Sequence, residues 1–138
     1  MERLSAAEAL QLVERGAVLI DFRPFPDFAR GHPRGALNVP FSPRRLAARI
    51  ASVVPPGARV ILVGANPEEG ARARLQLAAE GISPASLIEA ERSSWKAVGG
   101  GWEALQELGL EELERDPDLA VIDVREPEEW ATGFVPGA

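Results

Sequence analysis

The stretch Val60-Ile-Leu-Val-Gly-Ala-Asn-Pro-Glu-Glu-Gly-Ala-Arg-Ala-Arg74, VILVGANPEEGARAR, decides the fold class. With Arg59 before it, it opens on a continuous apolar run (59–63), the pattern of a strand buried on both faces. A short turn follows and opens a helix, predicted over 67–80. Asn66 suits the N-cap, Pro67 the first helical position and Glu69 the third, from which its carboxylate can reach back to the cap. Ala71, Leu75, Ala78 and Ala79 are the predicted buried face, and Gly81 the stop. A strand–turn–helix of this kind is a common anion site, because the first helical amides are unpaired and the helix dipole turns its positive end toward them. Here Glu68 and Glu69 already answer that pole, at roughly 0.3–1 kcal/mol each. The turn is expected to repel a dianion and to hold nothing but itself.

The same alternation extends outward. Ser5 with Glu8 reads as a capping box after Leu4, and Leu10, Val13 and Ala17 fall on one side of the helix that Gly16 stops. "AVLID" (17–21) and "SLIEA" (86–90) read as short buried strands. Between them, 23–41 is rich in Pro and Gly, with a helical turn around Phe25–Ala29 and a brief strand at Leu37–Val39. Ser42 and Pro43 fit the cap and first position of a helix carrying Leu46, Ile50 and Val53. Strands alternating with helices of about ten residues imply an α/β fold with a central parallel sheet flanked by helices.

Composition narrows the chemistry. The 138 residues are 46% hydrophobic, enough for a real core, and carry 21 acidic against 15 basic side chains, a formal −6. That balance argues against a nucleic-acid partner, which needs a basic stripe. No apolar run is long enough to span a bilayer and no signal peptide opens the chain, so no membrane partner is expected and the cytoplasm is the default location. There is no cysteine and only one histidine, His32. Disulfides, thiolate catalysis and cysteine zinc sites fall away together, and no metal or cofactor is expected.

The chain also repeats itself. "DFRPFPDFARGHPRGA" (21–36) and "DVREPEEWATGFVPGA" (123–138) align at an offset of 102 residues, position 123 against 21. Asp21/Asp123, Arg23/Arg125, Ala29/Ala131, Gly31/Gly133, Gly35/Gly137 and Ala36/Ala138 are identical, and Asp27/Glu129 and Phe28/Trp130 are alike. The expectation is a first domain over 1–99, a linker over 100–109, and an incomplete second copy over 110–138. This copy holds a helix, a strand at 119–124 and a helical turn at 126–133. A piece of that size cannot bury a core alone. Packing on the first domain, a swap or homodimer through 110–138, partial disorder and a truncated longer protein all stay open.

The pattern Asp-x-Arg-x-x-x-acidic-aromatic-x-x-Gly-His-x-x-Gly-Ala at 21–36 resembles the rhodanese (thiosulfate sulfurtransferase-like) family. So does the element order that follows it, through the closing "WKAVG" (95–99). A first copy ending in Trp-x-x-x-Gly and then a second is similar to the tandem rhodanese part of metallo-β-lactamase-fused proteins. The resemblance implies that a catalytic cysteine, which carries sulfur as a persulfide, opens the turn after the strand. The matching residue here is Gly64, which offers no nucleophile. The active-site loop equivalents are Gly64, Ala65, Asn66, Pro67, Glu68 and Glu69. The resemblance also implies that Arg23 pairs with the acidic residue four on, Asp27. Asp21, Arg23, Asp27, His32 and Gly35, with Asp123, Arg125 and Glu129 in the second copy, are read as structural.

Other residues receive plain readings. His32 is a hydrogen-bonded loop histidine, because it has no cysteine partner and no Gly-x-Ser-x-Gly elbow exists. Glu126, Glu128 and Glu129 are a solvated face in a first helical turn. Gly99–Gly101 is a flexible joint, and Trp95, Trp102 and Trp130 serve packing. The expected function is a catalytically inactive module for protein interaction or scaffolding in sulfur metabolism, its protein partner unnamed by the sequence. Two alternatives stand beside it. The chain is the N-terminal part of a tandem sulfurtransferase whose cysteine lies near position 166, which is 64 shifted by the 102-residue offset. Or it is a regulatory unit of a metallo-β-lactamase-type hydrolase.

Overall fold

The computed structural model describes residues 2–82 and 86–138. Among these the elements run β1 (Glu2–Arg3), α1 (Ala6–Glu14), β2 (Val18–Asp21), α2 (Phe25–Arg30), β3 (His32–Pro33), β4 (Leu37–Asn38) and α3 (Leu46–Val53). There follow β5 (Val60–Gly64), α4 (Pro67–Ala79), β6 (Ser86–Glu89), α5 (Arg92–Ala97), β7 (Trp102–Glu103), α6 (Leu110–Arg115) and α7 (Pro127–Trp130). The chain divides into two compact units, Met1–Leu105 and Gln106–Ala138.

In the first unit a five-stranded parallel sheet has the order β1-β6-β5-β2-β4. β5 lies at its centre and all five of its residues are buried. Successive side chains leave a strand on opposite faces. Ile20, Phe22, Val60 and Leu62 therefore meet Leu46, Ile50, Ala73 and Leu77 of α3 and α4. Leu19, Ile61 and Val63 meet Ala9, Phe28 and Trp95 on the other face. Each such buried side chain contributes about 1.5–3 kcal/mol, so the apolar run at 60–63 anchors both layers. The α/β architecture is the one the alternating pattern predicts, and the Ser5–Glu8 capping box is present.

Four local expectations are corrected. Helix α3 begins at Leu46, not Pro43. The Ser42 carbonyl instead accepts from the Gln76 side chain at 2.9 Å, which ties the entry segment to α4. Helix α4 buries Gly70, Ala73 and Leu77. Ala71, Ala78 and Ala79 are exposed, and Leu75 is 73% exposed. Small residues let this helix sit close to its neighbours, and a stripe of alanines gives no direction. The triple glycine is not a loose joint. Gly100 lies against the Trp95 indole, the Gly101 carbonyl accepts from the Arg34 amide at 2.8 Å, and β7 pairs antiparallel with β3. The first unit thus runs through Leu105, whose amide donates to the Ala29 carbonyl at 2.8 Å.

In the second unit, residues 119–124 do not form the expected strand, because no partner strand pairs with them among the described residues. The helix expected in this copy is α6.

Candidate functional site

The turn after β5 is built around a missing side chain. Gly64 ends the strand, and its carbonyl accepts from the Ala90 amide at 3.0 Å. A Cβ placed on residue 64 would stand 2.5 Å from Cζ and 2.9 Å from Cε1 of Phe22, inside any tolerated approach. Phe22 is 1% exposed and cannot easily move. Its amide donates to the Val63 carbonyl at 3.1 Å and its carbonyl accepts from the Phe41 amide at 3.0 Å. Sequence reasoning missed Phe22. The available signal was a glycine inside a strand, which marks a close approach of a neighbour.

Beyond Gly64 the turn closes on itself. Asn66 has extended backbone and caps α4, its side-chain oxygen accepting from the Glu69 amide at 3.0 Å. Pro67 takes the first helical position, and Glu68 and Glu69 lie exposed in the first turn. The predicted return bond from the Glu69 carboxylate to the cap amide is absent among the described hydrogen bonds, so the capping box is half made. A cleft of about 470 Å³ reaches Ala65 and is lined by Arg23, Asp27, Arg30 and Trp102. A second, of about 310 Å³, reaches Glu69 beside Phe22, Phe41 and Arg72. In the first cleft both guanidiniums are already paired, Arg23 with Asp21 and Arg30 with Asp27.

Those pairs correct the expected partner of Arg23. Its Nη2 meets Asp21 Oδ2 at 2.6 Å and donates to the Gly31 carbonyl at 2.7 Å, while Nε meets Oδ1 at 2.9 Å. Asp27 serves Arg30 instead, at 2.9 Å on the surface. A residue two positions before the arginine lies at the end of β2, where the guanidinium folds back over it. Asp21 is fully buried, so this is a clasp and not an open substrate grip. His32 sits in β3, 3% exposed. Its Nδ1–H donates to the Phe28 carbonyl at 2.8 Å and its ring stacks on Phe28 with centroids 3.7 Å apart. Nδ1 is thereby occupied by the backbone, and Nε2 faces Glu103 at 3.9 Å. Gly35 adopts φ +82°, a left-handed turn position.

The second unit reproduces this clasp. Arg125 Nη2 meets Asp123 Oδ2 at 2.7 Å and donates to the Gly133 carbonyl at 2.8 Å, while Nε meets Oδ1 at 3.0 Å. The Trp130 and Phe134 rings stack at 5.5 Å, as Phe28 and His32 do. Gly137 repeats the left-handed turn of Gly35 at φ +85°. Hydrogen bonds from Arg125 hold the Asp123 carboxyl below the usual aspartate range and raise the Arg125 guanidinium. Arg125 Nη1 donates to the Glu129 backbone carbonyl at 3.4 Å, while the Glu129 carboxylate caps α7 by accepting from the Glu126 amide at 2.9 Å.

The model of the rhodanese-like domain family matches residues 5–109. The chain belongs to the rhodanese-like family. Its fold is shared with the Alr3790 protein of Anabaena sp., at 24% identity and a TM-score of 0.58, covering 72% of this chain and 90% of that one. The rhodanese-like domain of the same Anabaena protein in solution aligns at 24% identity and 0.56 over 91% and 96% of the two chains. The BH2092 protein of Bacillus halodurans aligns at 11% identity and 0.59 over 83% and 89%. No curated protein is similar enough in sequence to match.

This rhodanese-like chain contains no cysteine. Between residues 64 and 69 its side chains are those of alanine, asparagine, proline and two glutamates, none of which carries sulfur. Among the described residues no cluster of three His, Asp or Glu side chains is placed to hold a metal ion. No helix among them is long and apolar enough to cross a membrane.

Proposed function

We propose that this rhodanese-like chain is catalytically silent and acts by protein recognition or scaffolding in a sulfur-metabolism setting. One observation carries the reading: the buried Phe22 ring fills the space a side chain on residue 64 would need. The reading takes Gly64 as the equivalent of the family nucleophile. A persulfide carrier requires a thiolate at that point and donors turned toward an anion. The turn offers a packed aromatic ring and two carboxylates in their place. What a silent family member retains is its surface, and recognition is the use left for it. The test is to incubate the purified chain with thiosulfate and cyanide. Thiocyanate is expected at the blank rate, and steady production in proportion to protein would overturn the reading.

A second reading concerns the organisation of the chain. We infer that 110–138 is the first segment of a second copy of the domain, following a first unit that runs through Leu105. It is supported by the clasp at Asp123, Arg125 and Gly133, which matches that at Asp21, Arg23 and Gly31 bond for bond. A chimera carrying residues 123–138 in place of 21–36 should still unfold cooperatively, at lower stability because Phe22 is replaced by valine. An unfolded chimera would count against interchangeable copies.

A further inference from the structure

The first unit carries a cationic face that its own acids do not answer. Residues 28–67 hold six arginines and no acidic side chain, within a chain of formal charge −6. Arg44, Arg45 and Arg49 of that stretch, and Arg72 of α4, are exposed. None of the four takes part in an ion pair among the described residues. Arg44 and Arg45 stand at the start of α3, which has no side-chain cap and no acid in its first turn. The helix dipole disfavours cations at that end, so folding gives no reason for placing the pair there.

Two contacts join these arginines to an apolar socket. Helices α3 and α4 pack together through Leu46, Ile50, Ala73 and Leu77. On α4, Gln76 lies one turn beyond Arg72 and therefore on the same side. Its donation to the Ser42 carbonyl sets that side against the segment that leads through Arg44 and Arg45 into α3. Phe41, immediately before Ser42, is 40% exposed. It shares with Arg72 the cleft of about 310 Å³ whose other walls are Phe22, Pro24, Pro40 and Glu69. That volume is at the small end of binding clefts and suits one large side chain. All of these residues belong to the first unit, whose sheet strands are all paired. Charge complementarity selects a polyanion. Glu69 on the rim and the net charge of −6 oppose a continuous phosphate backbone, whereas a peptide can space its carboxylates around one apolar residue.

We propose that this face docks an acidic segment of a partner protein. One aromatic or large aliphatic side chain of the segment sits in the cleft between Phe22, Phe41 and the two prolines, and its flanking carboxylates meet Arg44, Arg45 and Arg72. This deepens the recognition reading, rests on it and fails separately from it. Thiocyanate production would overturn that reading without changing the binding measurement, and absent binding would leave the transfer assay as it is.

The probe is a dye-labelled peptide of aspartates and glutamates around one phenylalanine, titrated into the full chain and followed by fluorescence anisotropy. Saturable binding is expected, weakened when salt rises from about 0.1 to about 1 M. A peptide with alanine for the phenylalanine should bind about tenfold or more weakly, and Phe41→Ala in the chain should have a similar effect. Arg44→Glu with Arg45→Glu, at exposed positions where the helix dipole favours acids, should weaken binding by about tenfold or more. Arg74→Glu makes the control: two residues from Arg72 it leaves α4 on another side, and should change binding by about twofold or less. No saturable binding would overturn the proposal, as would equal losses from the Arg74 control and from the Arg44 and Arg45 pair, which would reduce the effect to net charge. Equal affinity for the alanine peptide would remove the cleft from the account and overturn it too. So would an oligonucleotide of the same charge that displaces the peptide, since the occupant would then be a nucleic acid.

Discussion

The ring of Phe22 occupies the side-chain space of residue 64, with Cζ only 2.5 Å from where a Cβ would stand. Phe22 directly follows β2 and Gly64 ends β5, the two strands being parallel neighbours, and the first unit packs around their contact. An aromatic ring so placed turns a loop position into part of the core.

Gly64→Ala should therefore destabilise the chain by about 1–3 kcal/mol, the usual cost of overpacking. Gly64→Cys should do the same and yield no sulfurtransferase, because the thiol lacks room. Phe22→Ala alone should cost about 3–5 kcal/mol through the cavity it leaves. The double variant Phe22→Ala with Gly64→Ala should lose less than the sum, by about 0.5–3 kcal/mol of coupling. Urea unfolding of the four proteins measures the cycle. Strict additivity would mean that the two residues do not share a space.

Arg23 closes over Asp21 in the interior. Removing the guanidinium leaves a carboxylate of zero exposure with no cation and only the backbone amide of residue 23 as donor, at 3.1 Å, and the Gly31 carbonyl without its 2.7 Å donor. Arg23→Ala should cost about 3–5 kcal/mol, as breaking a buried pair does. Asp27→Ala, which disturbs only the surface pair with Arg30, should cost about 1 kcal/mol or less. Chemical denaturation separates the two. A larger loss from Asp27→Ala would restore the pairing that the motif resemblance implied.

The sheet was legible because its strands are apolar runs and its turns are marked by Gly, Pro and Asn. Asn66 announced its cap, and Asp21, Arg23 and Gly31 announced themselves by recurring 102 residues later. The bond partners were not legible. The motif resemblance implied Asp27 for Arg23, but the arginine lies before α2 and folds back onto a strand end. The face of α4 was hidden because alanine occurs all around it, and close packing selected Gly70 and Ala73 over Leu75. The decisive residue of the site, Phe22, lies far from the turn in sequence and reaches it only through strand pairing. Residues 119–124 carry a strand pattern without a strand, since pairing belongs to a partner and not to the segment.

The clasp of the second unit should titrate. Hydrogen bonds from Arg125 lower the Asp123 pKa below its unfolded value. A lowered carboxyl value means that the clasp supports the folded unit above the unfolded pKa, and that this support is lost as pH falls through the folded one, in the range below about 4. The Asp123 carboxyl ¹³C shift should show a midpoint below that of an unpaired aspartate. Amide exchange at Gly133 should rise over the same acid range. In Asp123→Asn the acid dependence of that exchange should vanish. A midpoint at or above the ordinary value would mean that the clasp is open in solution.

Gly31 and Trp102 test whether residues 100–105 belong to the first unit. The Trp102 indole lies against Gly31, which has extended backbone and tolerates a side chain conformationally, so only space forbids one there. β7 carries Trp102 and Glu103 into register with Pro33 and His32, and Arg34 meets Glu103 at 2.9 Å. Gly31→Ala should push the indole away and cost about 1–3 kcal/mol. Trp102→Ala should also destabilise, by removing cover from the apolar layer it packs against. Urea unfolding followed by tryptophan fluorescence reads both, and Glu103→Ala serves as the mild comparison at about 1 kcal/mol or less. If residues 100–105 were a loose joint, all three substitutions would leave the transition where it is.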